Sequence, residues 1–131
     1  MDIQRLIQEA YKAQKKAYNP YSHFAVGACI LTKDGQYIHG CNIENAAYGS
    51  TMCAERNAVY HAYCVGYQKD DIEALAIVGD GPIMISPCGA CRQVLAELLA
   101  PDTPIVLASR TAHEITTISE LLPLSFSKEN M

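Results

Sequence analysis

The sequence predicts an α/β protein of three layers, α/β/α, with helices on both faces of one mixed five-stranded sheet. Three observations carry that expectation. Helical and strand signals follow one another in the order α-β-β-α-β-α-β-β-α. The run Ala74-Leu75-Ala76-Ile77 is continuously apolar, as in a central strand covered on both faces. The second and third helices each lie between strands, so right-handed β-α-β crossovers make part of the sheet parallel. Both helices then start from the same edge of the sheet.

Taken in order, Ile3, Leu6, Ile7, Ala10, Tyr11, Gln14, Ala17 and Tyr18 recur close to the helical period behind Asp2, a good N-cap. Asn19-Pro20 ends that helix. Phe24 to Thr32 reads as a buried strand, Lys33-Asp34-Gly35 as a tight hairpin turn, and Gln36 to Cys41 as the return strand. The hairpin delivers the polar segment Asn42-Ile43-Glu44-Asn45 just ahead of a second helix, Met52 to Val65, capped by Ser50 or Thr51 and stopped by Gly66. Ile72 to Val78 is the central strand. Asp80-Gly81-Pro82 turns the chain, and Ile83-Met84-Ile85 leads into a third helix with Cys88, Cys91, Leu95 and Leu98 on one face, ending before Pro101. Pro104 to Ala108 and His113 to Thr117 supply two more strands. Thr117-Ile118-Ser119-Glu120 has the pattern of a capping box for a short last helix, closed by Pro123.

A chain of 131 residues without repeats or linkers suits one domain, 1–131. With 50% hydrophobic and 18% charged residues its composition is that of an ordinary globular protein. The net charge is −4 and the densest basic pair is Lys15-Lys16, so nucleic acid is not an expected partner. The start Met1-Asp2-Ile3-Gln4-Arg5 lacks the apolar core of a signal peptide, and no apolar run approaches membrane length. The expected location is the cytoplasm, with no membrane partner. Six cysteines would suit a disulfide framework only in a small secreted chain. Cys29 and Cys64, in apolar surroundings, read as small buried hydrophobes; Cys41 adjoins the polar segment.

The chemistry concentrates in Ser86-Pro87-Cys88-Gly89-Ala90-Cys91-Arg92-Gln93. Two cysteines three apart behind a proline sit where a helix begins, so both sulfurs can face one object. Alone, this C-x-x-C could hold zinc, act as a redox dithiol, or form half of a structural zinc site. Upstream, Cys53-Ala54-Glu55-Arg56 adds a third cysteine with a glutamate two residues on. A Cys-x-Glu followed by Pro-Cys-x-x-Cys is the pattern of zinc deaminases, with the glutamate as proton carrier. Residues at i and i+2 of a helix point apart, which argues against Glu55 as a second ligand beside Cys53. Three protein ligands leave a tetrahedral zinc one open position, whereas structural sites fill all four. His61 could close that position; His23, His39 and His113 have no ligand spacing. Three thiolates outweigh the charge of zinc, so helix N-termini and a nearby cation should offset them. Arg56 is the first candidate and Arg92 the second.

Several segments together resemble the cytidine deaminases, in their short, homotetrameric, three-cysteine form. They are Tyr21 to Ala28, Gly40-Cys41-Asn42-Ile43-Glu44-Asn45-Ala46, Cys53 to Arg56, Ser86 to Val94, and Glu120 through Phe126. The resemblance implies the cytidine deaminase-like fold and one Zn2+ per subunit on Cys53, Cys88 and Cys91. It implies hydrolytic deamination of cytidine and 2′-deoxycytidine in pyrimidine salvage, with Glu55 catalytic. It also implies that Asn42 and Glu44 hydrogen-bond the ribose 3′-hydroxyl, that Phe24 packs on the pyrimidine, and that the Ala54 N–H meets the ring carbonyl. Tyr48 would approach substrate, and Phe126 would reach into a neighbouring subunit's site. A carboxylate beside an amide suits a sugar hydroxyl and repels phosphate, which favours free nucleosides. A deaminase of another aminopyrimidine or of RNA, and a zinc-stabilised interaction module, are the competing readings. Cys29 stands where a smaller residue is usual, and Ser109 to Glu114 carries no family motif.

Overall fold

The chain is described over residues 1–131 in a computed structural model. Four helices and five strands follow the expected order: α1 Ile3–Gln14, β1 Gly27–Thr32, β2 Tyr37–Cys41, α2 Ala54–Cys64, β3 Ile72–Val78, α3 Gly89–Leu98, β4 Ile105–Ala108, β5 His113–Thr116 and α4 Ile118–Leu121. The strands form one sheet in the order β2-β1-β3-β4-β5. The pair β3–β4 is parallel and the other pairs are antiparallel. Alternating side chains send Ala28, Ile30, Leu75, Ile77, Ile105 and Leu107 to one face, against α2 and α3. Cys29, Leu31, Ala74, Ala76, Val78, Val106 and Ala108 go to the other, against α1. The three-layer expectation holds.

Because β1 is antiparallel to both β2 and β3, those two strands point the same way. The helices that follow them, α2 and α3, therefore both begin at the same edge of the sheet, as the sequence implied. Two glycines permit the layers to close. A Cβ at Gly27 would clash with the Ala10 carbonyl and lie 2.6 Å from the Gln14 nitrogen, on α1. At Gly40 it would lie 2.5 Å from the Ala54 carbonyl and 2.7 Å from Ala58 Cα, on α2.

Several boundaries differ from expectation. α1 stops at Gln14 rather than Tyr18, because the backbone of Tyr18 is taken by another partner. Its N–H donates to Asn42 O at 3.0 Å and its carbonyl accepts from Glu44 N at 2.8 Å. β1 begins at Gly27 rather than Phe24, and side chains replace the missing ladder over Phe24-Ala25-Val26. α2 begins at Ala54 with Cys53, not Ser50 or Thr51, as its N-cap. Its end at Gly66 is as read: Gly66 has φ +106°, and Gly66 N and Tyr67 N donate back to Tyr63 O and Ala62 O. Cys29 is fully buried, but Cys64 is exposed at the helix end and is no core residue. Thr117 caps α4 by accepting from Glu120 N. No helix is long and apolar enough to cross a membrane.

Candidate active site

Both ligand-bearing helices start on a cysteine. Cys53 (φ −74°, ψ 155°) and Cys88 (φ −66°, ψ 170°) are the extended N-caps of α2 and α3, and neither side chain caps its own helix. Their sulfurs are thus free to face each other across the gap between two helix N-termini. Cys91, fully buried in the first turn of α3, completes the group. The sulfur separations are 3.9 Å for Cys53–Cys88 and 3.4 Å for Cys88–Cys91, and all three lie within 4.8 Å of one another. Tetrahedral zinc with Zn–S bonds of about 2.3 Å sets sulfurs about 3.8 Å apart, so the triangle fits this ion. No fourth histidine, cysteine or carboxylate joins the cluster. His61 is an exposed residue whose Nδ1 lies 3.1 Å from the His39 carbonyl oxygen, so it does not close the site.

Electrostatics favour an anionic sulfur at Cys53. The Cys53 thiol is brought down to about 5, first by a hydrogen bond from Cys91 and then by Arg56, against the opposing effect of burial. Cys91 is pushed upward as the donor in that pair. Arg56 donates from Nη2 to Cys53 Sγ at 3.4 Å, and this contact raises its guanidinium above the usual range. Its Nε is buried without a partner. The second candidate, Arg92, does not touch a sulfur. It donates to Pro87 O at 2.8 Å, Leu121 O at 2.7 Å and Ser86 Oγ at 3.1 Å, so it braces the turn before Cys88 against the end of α4. Short carbonyl acceptors satisfy its fork better than a distant thiolate.

Glu55 occupies the first turn of α2 at 4% exposure, and burial raises its carboxyl pKa, with the nearby Cys53 thiolate adding to the effect. It lines a cavity of about 310 Å³ together with Cys53, Cys88, Ala54, Phe24, Val26, Asn42 and Ile85. Ala54, at the first helical position, has a backbone N–H with no carbonyl partner inside the helix. A second hollow of about 280 Å³ shares Ser22 and Thr51 with the first and adds Tyr21, Glu44 and Tyr48.

The remaining candidates divide. The Glu44 carboxylate accepts from Tyr21 N at 3.0 Å, Ser22 N at 3.1 Å and the Ser22 hydroxyl, which together hold it well below the usual carboxylate range. The Asn42 amide is partly committed to backbone: Nδ2 donates to Phe24 O and Oδ1 accepts from Val26 N, both at 2.9 Å. Tyr48 borders the Glu44 hollow at 79% exposure. Phe126 lines neither hollow; it is 61% exposed, and its carbonyl accepts from Gln93 Nε2 at 2.9 Å. Sequence reasoning passed over Ser22, Gln14 and Asp80. A polar Gln14 within an apolar helical stripe was the available signal.

The model of the cytidine and deoxycytidylate deaminase zinc-binding region matches residues 1–107. The chain is 51% identical to a cytidine deaminase of Halalkalibacterium halodurans, over 100% of this chain and 98% of that one. It is 48% identical to one from Sporosarcina psychrophila, over 100% and 96%. The crystal structure of cytidine deaminase from Burkholderia pseudomallei superposes with a TM-score of 0.93 at 46% identity, covering 96% of this chain and 100% of that one. With three converging sulfurs at two helix starts and a buried acid beside them, the chain belongs to the cytidine and deoxycytidylate deaminase family of zinc enzymes.

Proposed function

We propose that this single-domain chain hydrolyses cytidine and 2′-deoxycytidine to uridine and 2′-deoxyuridine, releasing ammonia, with one zinc ion per subunit on Cys53, Cys88 and Cys91. The observation that carries the reading is a three-sulfur triangle of zinc dimensions beside a buried carboxyl group of raised pKa, on the wall of a cavity. Bound zinc supplies Lewis acidity, which brings the pKa of water in the site toward neutrality.

Glu55 moves the protons. Its raised pKa suits a group that must both take and give a proton near neutral pH. It takes the two protons of the attacking water in turn, passing the first to the ring nitrogen and the second to the amine leaving C4. The water oxygen stays on C4, and the amino group departs as ammonia. The free Ala54 N–H donates to the ring carbonyl, and Phe24 packs on the ring. The Glu44 carboxylate accepts from the ribose 3′-hydroxyl. Asn42 keeps one amide hydrogen for the same hydroxyl, since the structure commits only the other. Tyr48 borders the sugar. Two features favour nucleosides over phosphorylated or polymeric substrates, the ionised Glu44 and the net charge of −4.

Exposed Phe126, Tyr48, Ile43 and Leu124 support a homotetramer in which Phe126 completes a neighbouring subunit's site. The enzyme would serve pyrimidine salvage in the cytoplasm, without nucleic-acid or membrane partners. The test follows cytidine loss by ultraviolet absorbance, with metal analysis and sizing of the same preparation. Turnover with one zinc per chain in a tetramer is the expected result. Zinc without turnover would favour the interaction module, metal-free redox activity the dithiol, and a fully active monomer would remove the shared site.

A further inference from the structure

The segment Phe24-Ala25-Val26 forms a wall of the cavity yet belongs to no strand. Val26 O accepts from the backbone Asn42 N at 3.3 Å, and side chains from separate elements hold the rest of the segment's backbone. Ser22 Oγ accepts from Phe24 N at 3.0 Å, and Asn42 bonds both Phe24 O and Val26 N. The central residue, Ala25, is gripped at both of its polar groups. Its N–H donates to Asp80 Oδ2 at 2.6 Å, and its carbonyl accepts from Gln14 Nε2 at 3.0 Å. Gln14 Nε2 also donates to Asp80 Oδ1 at 3.3 Å, which joins the two grips. Gln14 is a buried polar residue at the end of α1, from the opposite face of the sheet. Asp80 follows β3, and its neighbour Gly79 lies under the Phe24 ring: a Cβ there would come 3.0 Å from Phe24 Cζ.

We propose that Gln14 and Asp80 are positioning residues for this reaction, clamping Ala25 so that the Phe24 ring is pressed onto Gly79 and presents a fixed wall to the pyrimidine. The proposal rests on the cytidine reading of the cavity. Neither residue lines the cavity, and neither hydrogen-bonds a zinc-ligand cysteine or Glu55. Ring packing is equal in the ground and transition states, so a loosened Phe24 removes uniform binding, which raises KM and spares kcat.

The experiment measures kcat and KM for cytidine, zinc content and Tm in zinc-loaded Gln14→Ala, Asp80→Ala, Asp80→Asn and Phe24→Leu, and in Phe24→Leu combined with each alanine change. Losing one charge-assisted or buried hydrogen bond should raise KM about fivefold to tenfold in each alanine variant, with kcat within about twofold of the parent and zinc unchanged. Asp80→Asn, whose amide oxygen can still accept from Ala25 while its Nδ2 cannot accept from Gln14, should raise KM less than Asp80→Ala does. In the Phe24→Leu background the alanine changes should add little, because they act through that ring. A parental KM in both alanine variants overturns the proposal, as does a fall in kcat at constant KM or an undiminished effect without Phe24. Asp80 is exposed and its replacement is not expected to unfold the chain, so Asp80→Ala decides even if Gln14→Ala fails to fold. A parent protein inert toward cytidine overturns the functional reading, and this one with it.

Discussion

A single methyl group at Gly40 should disable the site without altering any residue in it. Gly40 is buried in β2, and the atoms a Cβ would meet are all backbone: Ala54 O at 2.5 Å, Ala58 Cα at 2.7 Å, and Ala58 N closer still. No side chain can rotate aside. Ordinary contact begins near 3.4 Å, so α2 must withdraw by about 1 Å from the sheet, a displacement that costs about 100-fold in rate when it reaches reacting groups. It reaches them here, because the first turn of α2 carries Cys53, the Ala54 N–H and Glu55, while Cys88 and Cys91 ride on α3 and stay behind. Overpacking of this kind costs about 1–3 kcal/mol, or about 3–12 °C in Tm for a chain of this size. The assay compares Gly40→Ala with the parent in zinc per chain, kcat for cytidine and thermal unfolding. Gly35→Ala is the control. Gly35 has φ +89° with nothing within 4 Å of its Cβ position, so the substitution should cost about 1–2 kcal/mol of strain and leave kcat alone. Parental zinc content and kcat in Gly40→Ala, or a loss no larger than that of Gly35→Ala, would refute the reasoning.

Glu55→Gln should retain zinc, since Glu55 is not a ligand, while kcat falls about 10²- to 10⁴-fold; near-normal turnover would end its role as proton carrier. Arg56→Ala should weaken zinc affinity about 10- to 100-fold in a chelator competition, because the donor to the Cys53 sulfur is gone; unchanged affinity and rate would show that the contact is incidental. Burial pushes the Cys29 thiol from 9.0 up to about 12. A thiol raised in the folded state contributes fully below pH 9 and loses that contribution as pH climbs toward 12. The slope is about 1.4 kcal/mol per pH unit. Cys29→Ala should therefore flatten the alkaline limb of the stability curve, and parallel curves for variant and parent would contradict this.

The zinc triangle was legible because its spacing is local: Cys-x-Glu and Pro-Cys-x-x-Cys each lie within one helix start, where proline and glutamate mark the N-terminus. The cap of α2 was misplaced for the same local reason. Ser50 and Thr51 are better intrinsic N-caps than cysteine, yet Cys53 holds the position, with its sulfur turned toward Cys88 rather than to its own helix. Cys64 shows the opposite failure, since an apolar neighbourhood in sequence did not place it inside. Arg92 was legible as a cation near the cluster but not as the brace of Pro87 and Leu121, which lie in separate elements.

By itself the sequence determined the order of elements, the sheet between helices, the three sulfurs and the acid beside them. Periodicity and capping act between neighbours a few residues apart, and those interactions can be read along the chain. Only the tertiary structure decided that Gln14, Asn42 and Asp80, distant in the chain, would replace a missing strand ladder around Phe24. It alone decided that Arg56 and not Arg92 would meet a sulfur. Buried backbone groups and charges must find partners, and which side chain supplies them depends on the close approach that Gly27 and Gly40 allow between layers.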